Sequence, residues 1–598
     1  MGPLKDILSP FTVWKHAIKE PVTIKDPLSR QAADRYRGFH QNQMDTCIGC
    51  GTCEAICENE AIDLIPVEGV ETRNGDSGLR PRVDYGRCCW CALCVDVCTT
   101  GSLTLSNIYT WVDTDPDNFR FVPGSDQKPW DKTEKGYRKA DGLELYPLER
   151  THMQELEPEE RDHSFVEIIK GFSDEEALAE ADRCVECGIC TATCPAHMGI
   201  PAYIKAIRNH DIEEGLRILY ETNPLPEICG RICTHKCETV CSLGHRGEPI
   251  SIRWLKRYIA DQVPQSQYPG ILKQDSGLQN GKNIAIVGAG PAGLSAAYYL
   301  RQMGYGVTLF EKLPKAGGMM RYGIPEYRLP YDQLDKDIDY ILSLGVDMRY
   351  NTLIGKDVTF EHLKDNYLAV YVATGLHSGR STRIPGTGHP MVFQAVELLR
   401  NITLGIPIEV APRIVVIGGG NVAMDITRSL ARLQKVKYNK VNVLATSLET
   451  EDKMPADREE IVEAREENAR IEPGWGPREM VIENNTIKGL RVVRCLSVFD
   501  ANGRFNPSFD ESDENFFEAD MIVESIGQGA DLSFIPLPLS EQLEKDHRGR
   551  ILINPLTGQS SLPWLFLGGD IIEGPDVIHG IANGHKAAKG IDQYLNKP

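Results

Sequence analysis

The sequence predicts a multidomain α/β protein, and three observations in its 598 residues predict it. Two strand–glycine–helix units, KNIAIVGAGPAGLSAAYYLRQMGYGVTLFEK and RIVVIGGGNVAMDITRSLARL, occupy the C-terminal half. A helical pattern fills 173–270. Sixteen of the 18 cysteines fall into four close-spaced quartets ahead of the first glycine unit. The expected architecture is two Rossmann-like (GxGxxG/A) nucleotide-binding domains, preceded by a helical iron–sulfur domain and an α+β two-[4Fe–4S] ferredoxin domain.

The quartets are Cys47, Cys50, Cys53, Cys57; Cys88, Cys91, Cys94, Cys98; Cys184, Cys187, Cys190, Cys194; and Cys229, Cys233, Cys237, Cys241. The first three follow C-x2-C-x2-C-x3-C, the rhythm that wraps thiolates around a cubane cluster. Short loops at that spacing aim three sulfurs at one point, and the fourth reaches another centre. Sixteen thiolates suffice for four [4Fe–4S] clusters. A disulfide framework belongs to small secreted chains, and the start, MGPLKDILSPFTVWKHAIKEP, has neither a continuous apolar core nor a cleavage site. Structural zinc usually pairs two knuckles across a longer gap. A reducing, cytoplasmic setting is expected. Cys89 and Cys495 lie outside the quartets and are read as packing residues.

Apolar content of 41% and charged content of 25% suit a folded globular chain. No stretch approaches the ~20 apolar residues of a membrane span; YLAVYVATGL is short enough to be a buried strand. The formal charge of −20 argues against nucleic-acid binding.

In order, 1–40 is a basic lead-in, read as a docking arm. Residues 41–110 hold two quartets, each followed by a strand-like stretch (AIDLIPV, SLTLSNIY), the pseudo-repeat of a two-cluster ferredoxin. Residues 111–172 are polar and weakly periodic, a surface linker. The helical iron–sulfur domain spans 173–275; SDEEALAEADRC opens it with a serine cap and an acidic first turn. Residues 280–390 with 535–598 form an FAD domain, and 391–534 an NAD(P) domain.

In the first glycine unit, Gly288 permits a tight turn, Gly290 admits a pyrophosphate to the backbone, and Gly293 lets helix pack on strand. The helix N-terminus faces the negative charge. Glu311, which ends the second strand 18 residues after Gly293, can accept hydrogen bonds from a ribose. The second unit repeats this with Gly418, Gly420 and Ala423. AVYVATG reads as the crossing between the two folds. In WLFLGGDIIEGPDVIHGIANG, Asp570 follows Gly569 where a carboxylate can meet a flavin ribitol, and the helix near Val577 can face the flavin ring or the pyrophosphate.

Residues 173–598 resemble the glutamate synthase small subunit and its relatives, among them the large subunit of NADH-dependent ferredoxin:NADP oxidoreductase and the flavin end of dihydropyrimidine dehydrogenase. The matching stretches are RCVECGICTATCP, TNPLPEICGRIC, GAGPAGLSAA, GGMMRYGIPEYRLP, YVATG, VVIGGGNVAMD, MPAD, ESIGQ and FLGGDIIEGPDVIHGIANG. Residues 10–110, through KEPVTIKDP and RYRGFHQNQMDTCIGCGTCEAIC, resemble the ferredoxin-like subunit of respiratory complex I. The resemblance implies FAD at the first fold, a nicotinamide at the second and two clusters in the helical domain. It adds Gly318, Arg328, Thr374, Gly375, Asn421 and Asp425 as cofactor-binding positions.

By the two-cluster rule, Cys98 completes the set of Cys47, Cys50 and Cys53, and Cys57 joins Cys88, Cys91 and Cys94. The resemblance implies that Cys241 completes Cys184, Cys187 and Cys190, and that Cys194, Cys233 and Cys237 form the core of the fourth set. Its last ligand is Glu or Gln in several relatives, where this chain has Lys256. An ammonium offers iron no lone pair, so Cys229 is the expected replacement. Glu58 and Thr99 stand where both ferredoxin quartets usually carry proline. Relatives that use NADP end the second strand of the nicotinamide fold with Tyr-Arg-Arg, whose guanidiniums clamp a 2′-phosphate. Here VNVLATSLETEDKMPAD has three acids and no arginine before MPAD, so NADH is expected over NADPH.

The expected function is a flavin- and iron–sulfur-dependent NAD(P)H oxidoreductase subunit, exchanging electrons with a partner redox subunit of hydrogenase, formate dehydrogenase or reductase type, or with ferredoxin. Hydride transfer needs no side-chain acid, base or nucleophile, so no catalytic residue is expected. The resemblance leaves electron bifurcation open. The alternatives are a glutamate synthase small subunit, or a non-catalytic wiring subunit with a degenerate nicotinamide site.

Overall fold

The structure, a computed structural model, describes residues 9–20, 31–140, 142–273, 280–547, 549–574 and 576–596. It divides into two units. The first comprises Met1–Arg150, Val185–Cys190 and Thr239–Ile250; the second comprises Thr151–Cys184, Thr191–Glu238 and Ser251–Pro598.

In the first unit, short apolar runs after each ferredoxin quartet become strands, and each finds an antiparallel partner. Ile62–Pro66 pairs with Leu79–Asp84, which also pairs with Arg120–Phe121, and Leu103–Leu105 pairs with His40–Asn42. Of the docking arm, residues 1–8 and 21–30 lie outside the described residues. Its described part leaves Phe11, Trp14 and Ile18 exposed. The start of the stretch 111–172 departs from a surface linker: Phe121 and Trp130 are buried, and Trp111 and Phe119 pack partly buried against their cluster. Trp130 stacks on Phe39 with centroids 4.3 Å apart and is 1% exposed.

The second unit begins with helices. Ser173 caps Asp174–Asp182, accepting the Glu176 amide at 3.2 Å while Glu176 answers the Ser173 amide, a reciprocal box. Pro226–Ile232 and Ile252–Gln262 pack so closely that a side chain at Gly230 would meet the Arg257 backbone at 2.7 Å.

Two all-parallel five-stranded sheets follow. The first runs Leu565–Leu567, Ala369–Val372, Asn283–Val287, Gly306–Phe310, Asp347–Arg349 in spatial order; the second runs Val392–Gln394, Met521–Glu524, Ile414–Ile417, Val443–Ser447, Arg470–Pro473. Helices cross between Asn283–Val287 and Gly306–Phe310, and between Ile414–Ile417 and Val443–Ser447, as parallel pairing demands. Strands such as AVYV and IVVI are buried throughout, which is why they read as continuous apolar runs. Ser378–Gly379 and Gln528–Gly529 pair antiparallel where the chain passes between the folds. An antiparallel three-stranded sheet, Trp475–Glu483, Thr486–Phe499 and Phe505–Glu518, is inserted before Met521–Glu524. Among the described residues no helix is long and apolar enough to cross a membrane.

Candidate functional site

The ferredoxin thiols gather in two sets in the first unit. Burial pushes the Cys53 thiol well up, and Cys50, Cys94, Cys98 and Cys47 add to this as like charges. Burial likewise raises Cys94, and Cys88, Cys91 and Cys57 reinforce it. Hydroxyls surround the first set: Thr52 and Thr99 lie 3.2 and 3.6 Å from Cys50 Sγ, and Ser102 lies 3.6 Å from Cys98 Sγ. Thr99 thus fills the expected proline position with a hydroxyl directed at Cys50. His40, buried among aromatic rings, places Nε2 3.3 Å from Cys94 Sγ, and burial pulls its pKa down to about 4. Cys187, Cys190 and Cys241 also belong to the first unit, whereas Cys184 belongs to the second. Cys187 Sγ lies 3.3 Å from Ser242 Oγ, and Cys50 and Cys187 pack around Ile48, Ile189 and Val240. Cys89 is exposed, so it is no packing residue; it is the following Trp90, at φ 54°, that packs against Phe39 and Tyr85.

The fourth set lies in the second unit. Cys229, three residues after the proline start of its helix, is fully buried one turn before Cys233, and the two thiols interact strongly. That interaction, against burial, pulls Cys233 down, and Lys256 assists. Burial works against the Lys256 ammonium, but Cys233, Cys229, Cys237 and Cys194 outweigh it and raise its pKa. A buried cation therefore sits within four cysteines. Among the described residues no three His, Cys, Asp or Glu side chains converge closely enough for a single metal ion. The soft thiol donors suit the larger iron–sulfur cubane.

The first glycine turn is crowded beneath and open above. A Cβ on Gly293 would strike Gly288 O at 1.9 Å, so helix Pro291–Gln302 lies directly on the turn. That helix starts at Gly290 without a side-chain cap, leaving orphan amides for an anion. Gly318, Thr374 and Gly569 converge here: side chains added at Gly318 and Gly569 would meet Gly290 Cα at 2.7 Å and Ala292 Cβ at 3.0 Å, and one at Gly288 would meet Thr374 Cα at 3.1 Å. Gly375 follows Thr374 with φ 64°. Thr374 Oγ1 is buried with no protein partner. An orphaned hydroxyl beside an uncapped helix fits a dinucleotide such as FAD. Glu311 accepts the amides of Ala289 at 3.0 Å and Leu313 at 2.9 Å. Burial, then the Asp576 charge, raises Asp570 to about 6. The last helix, Val577–Leu595, is capped by Asp576, which accepts the His579 amide at 2.8 Å.

At the second turn, helix Asn421–Tyr438 also starts uncapped at Gly420, where a Cβ would meet nothing within 4 Å. Gly420 thus leaves an open cradle, while Gly418 packs against the chain, where a Cβ would meet Ser525 O at 2.2 Å. The side chains of Asn421 and Asp425 do not face it. Asn421 donates to Asp457 Oδ2 at 2.9 Å and accepts the Asp457 amide at 2.7 Å, holding MPAD against the turn. Asp425 is clamped by Arg328.

Acids follow the strand Val443–Ser447 next to this turn. Glu449 Oε2 lies 3.2 Å from where a Cβ on Gly419 would stand. Glu451 holds Arg458 at 3.0 Å and Arg465 at 2.8 and 2.6 Å. Sequence reasoning missed that these two arginines are nearby and engaged; their seven-residue spacing on one helix face was the signal.

A flavin- and pyridine-nucleotide-dependent oxidoreductase with iron–sulfur domains is the class these folds and thiol sets define. Residues 282–589 match the pyridine nucleotide-disulphide oxidoreductase family, 161–268 the dihydropyrimidine dehydrogenase domain II with its 4Fe–4S cluster, and 46–102 the 4Fe–4S dicluster domain. The chain belongs to the pyridine nucleotide-disulphide oxidoreductase family, in the group that contains the glutamate synthase small chain. It is 39% identical to the NADP(+)-dependent formate dehydrogenase subunit beta of Moorella thermoacetica, over 68% of this chain and 60% of that one. It is 37% identical to the NADPH-Fe(3+) oxidoreductase subunit beta of Geobacter sulfurreducens, over 68% and 64%. With the glutamate synthase [NADPH] small chain of Escherichia coli it shares 32%, over 72% and 94%. The chain thus spans less than two thirds of the first two relatives.

Proposed function

We propose that this chain is the NADH-oxidising, electron-distributing subunit of a larger redox complex. Residues 280–390 with 535–598 would hold FAD through Gly288, Gly290, Gly293, Gly318, Thr374 and the Gly569–Asp570 turn. Residues 391–534 would hold the nicotinamide on the Gly418–Gly420 cradle. FAD, when bound, supplies the conversion between hydride chemistry and the one-electron chemistry of iron–sulfur carriers. The four ligand sets would be Cys47, Cys50, Cys53, Cys98; Cys57, Cys88, Cys91, Cys94; Cys184, Cys187, Cys190, Cys241; and Cys194, Cys229, Cys233, Cys237. Partner subunits of formate dehydrogenase or reductase type agree with the names of the first two relatives. The lead-in, with Phe11, Trp14 and Ile18 exposed, would dock one of them.

The choice of NADH is carried by Glu449, beside Gly419, and by Glu451, which engages Arg458 and Arg465. A ribose bearing two hydroxyls can donate to Glu449, whereas a 2′-phosphate there would meet a carboxylate, with Arg458 and Arg465 already neutralised by Glu451. The relatives named above are NADP(H) proteins, so the reading sets this chain apart from them. Initial rates of dye reduction at equal low concentrations of NADH and NADPH test it: a faster NADPH rate rejects NADH preference.

A further inference from the structure

The set of Cys57, Cys88, Cys91 and Cys94 has a side-chain neighbour that the function above does not use. His40 begins the strand His40–Asn42, where pairing with Leu105 fixes its backbone, and it is 1% exposed. Its Nδ1 lies 2.9 Å from Tyr85 Oη, which also accepts the His40 backbone N–H at 2.8 Å. Its Nε2 lies 3.3 Å from Cys94 Sγ. The main chain contributes elsewhere in this set: the amides of Ala61 and Trp90 donate to Cys57 and Cys88 at 3.3 and 3.4 Å.

Counting protons assigns the donor. A cysteine ligating iron has lost its hydrogen, so Cys94 Sγ can only accept, and Nε2 must carry the proton between them. Tyr85 has one hydroxyl hydrogen. With its oxygen accepting the His40 amide, that hydrogen is directed at Nδ1, which makes Nδ1 the acceptor and leaves the proton of a neutral ring on Nε2. The Tyr85 ring is held by stacking on Phe121, with centroids 5.0 Å apart.

We propose that His40 is a tuning residue: its Nε2–H donates to Cys94 and raises the reduction potential of the cluster on Cys57, Cys88, Cys91 and Cys94, with Tyr85 fixing the tautomer. Reduction adds negative charge that spreads onto the ligating sulfurs, and a donor in a buried site stabilises the reduced form more than the oxidised one. The proposal rests on the ligand sets given above.

Redox titration of the full chain followed by EPR, with iron analysis, tests it in His40→Leu and His40→Gln. The glutamine amide can still donate to sulfur; leucine cannot. The expected result is wild-type iron in both, one cluster shifted to more negative potential in His40→Leu with the others unmoved, and near-wild-type values in His40→Gln. Full iron with an unshifted potential in His40→Leu overturns the role of His40 and leaves the cluster reading intact. Wild-type protein without iron on these cysteines overturns both. Should His40→Leu lack iron, pulsed EPR on ¹⁵N-histidine-labelled protein decides: a weak nitrogen coupling present in wild type and lost in His40→Gln supports the proposal, and a coupling unchanged by that substitution overturns it.

Discussion

Arg328 donates through one guanidinium nitrogen to both oxygens of Asp425, at 2.8 and 2.9 Å, and its Nε reaches Glu460 at 2.7 Å. The first of these residues comes from GGMMRYGIPEYRLP, the second from the helix that opens the nicotinamide fold, so the pair ties the two nucleotide folds together. Side-chain exposure of 14% for Arg328 and 3% for Asp425 makes the tie a buried one.

Removing one member should therefore cost more than the pair contributes. Asp425→Ala leaves a buried guanidinium short of a partner and should destabilise the second unit by about 3–5 kcal/mol. Adding Arg328→Met should recover part of that loss. Urea denaturation followed by release of flavin fluorescence measures both; a wild-type midpoint for Asp425→Ala would contradict a structural role.

Nucleotide choice should respond to Glu449, beside Gly419, and to Glu451, which engages Arg458 and Arg465. Glu451→Ser frees Arg458 and Arg465, and Glu449→Ser removes the carboxylate that would oppose a phosphate. Together they should raise kcat/KM for NADPH relative to NADH by about 10-fold or more, the scale of one charge-assisted hydrogen bond. Paired steady-state kinetics provide the ratio, and an unchanged ratio would remove these residues from the selectivity account.

Cys229 and Lys256 divide the work at the fourth set, and two substitutions separate them. Cys229→Ala should lower iron by one cluster's worth; wild-type iron would assign Cys229 to its interaction with Cys233 instead. Lys256→Met should keep the iron and shift one cluster to more negative potential. The size expected is a few kcal/mol, on the order of two unit charges in contact at an effective dielectric constant of ~20. EPR redox titration reads this directly.

Asp570 predicts a pH dependence of the flavin-free protein. Burial raises its folded pKa to about 6, against an unfolded value of ~3.9. Between these values the unfolded chain has released the proton and the folded chain retains it. Stability contributed by Asp570 therefore falls as pH rises through that window and is level above about 6. Asp570→Asn removes the slope and should gain about 2 kcal/mol over wild type at neutral pH, allowing for partial solvent access. Thermal midpoints from pH 4.5 to 7.5 would show the two proteins converging toward acid; parallel curves would contradict the assignment.

The parallel sheets, the helical segment and the glycine turns were legible because each rests on local chemistry. GAGPAG and GGGNVA encode tight turns ahead of helices, and AVYV and IVVI can only be strands buried on both faces. The grouping of thiols in the ferredoxin region followed from loop spacing. What escaped depends on long-range contact. Trp130 meets Phe39 across 91 residues, so its polar surroundings read as linker. Arg328 and Asp425 stand in stretches that look cofactor-binding, yet their charges answer each other. His40 is one imidazole in RYRGFHQN, and only the strand register places it beside Cys94.

Electrons from NADH are expected to enter this chain and reach its thiol-bound iron. Anaerobic addition of NADH to the purified, iron- and FAD-loaded protein tests it most directly, with absorbance and low-temperature EPR recorded together. The account predicts bleaching of the flavin band and EPR signals of reduced clusters. Flavin and iron that respond to dithionite but stay oxidised under excess NADH would contradict it.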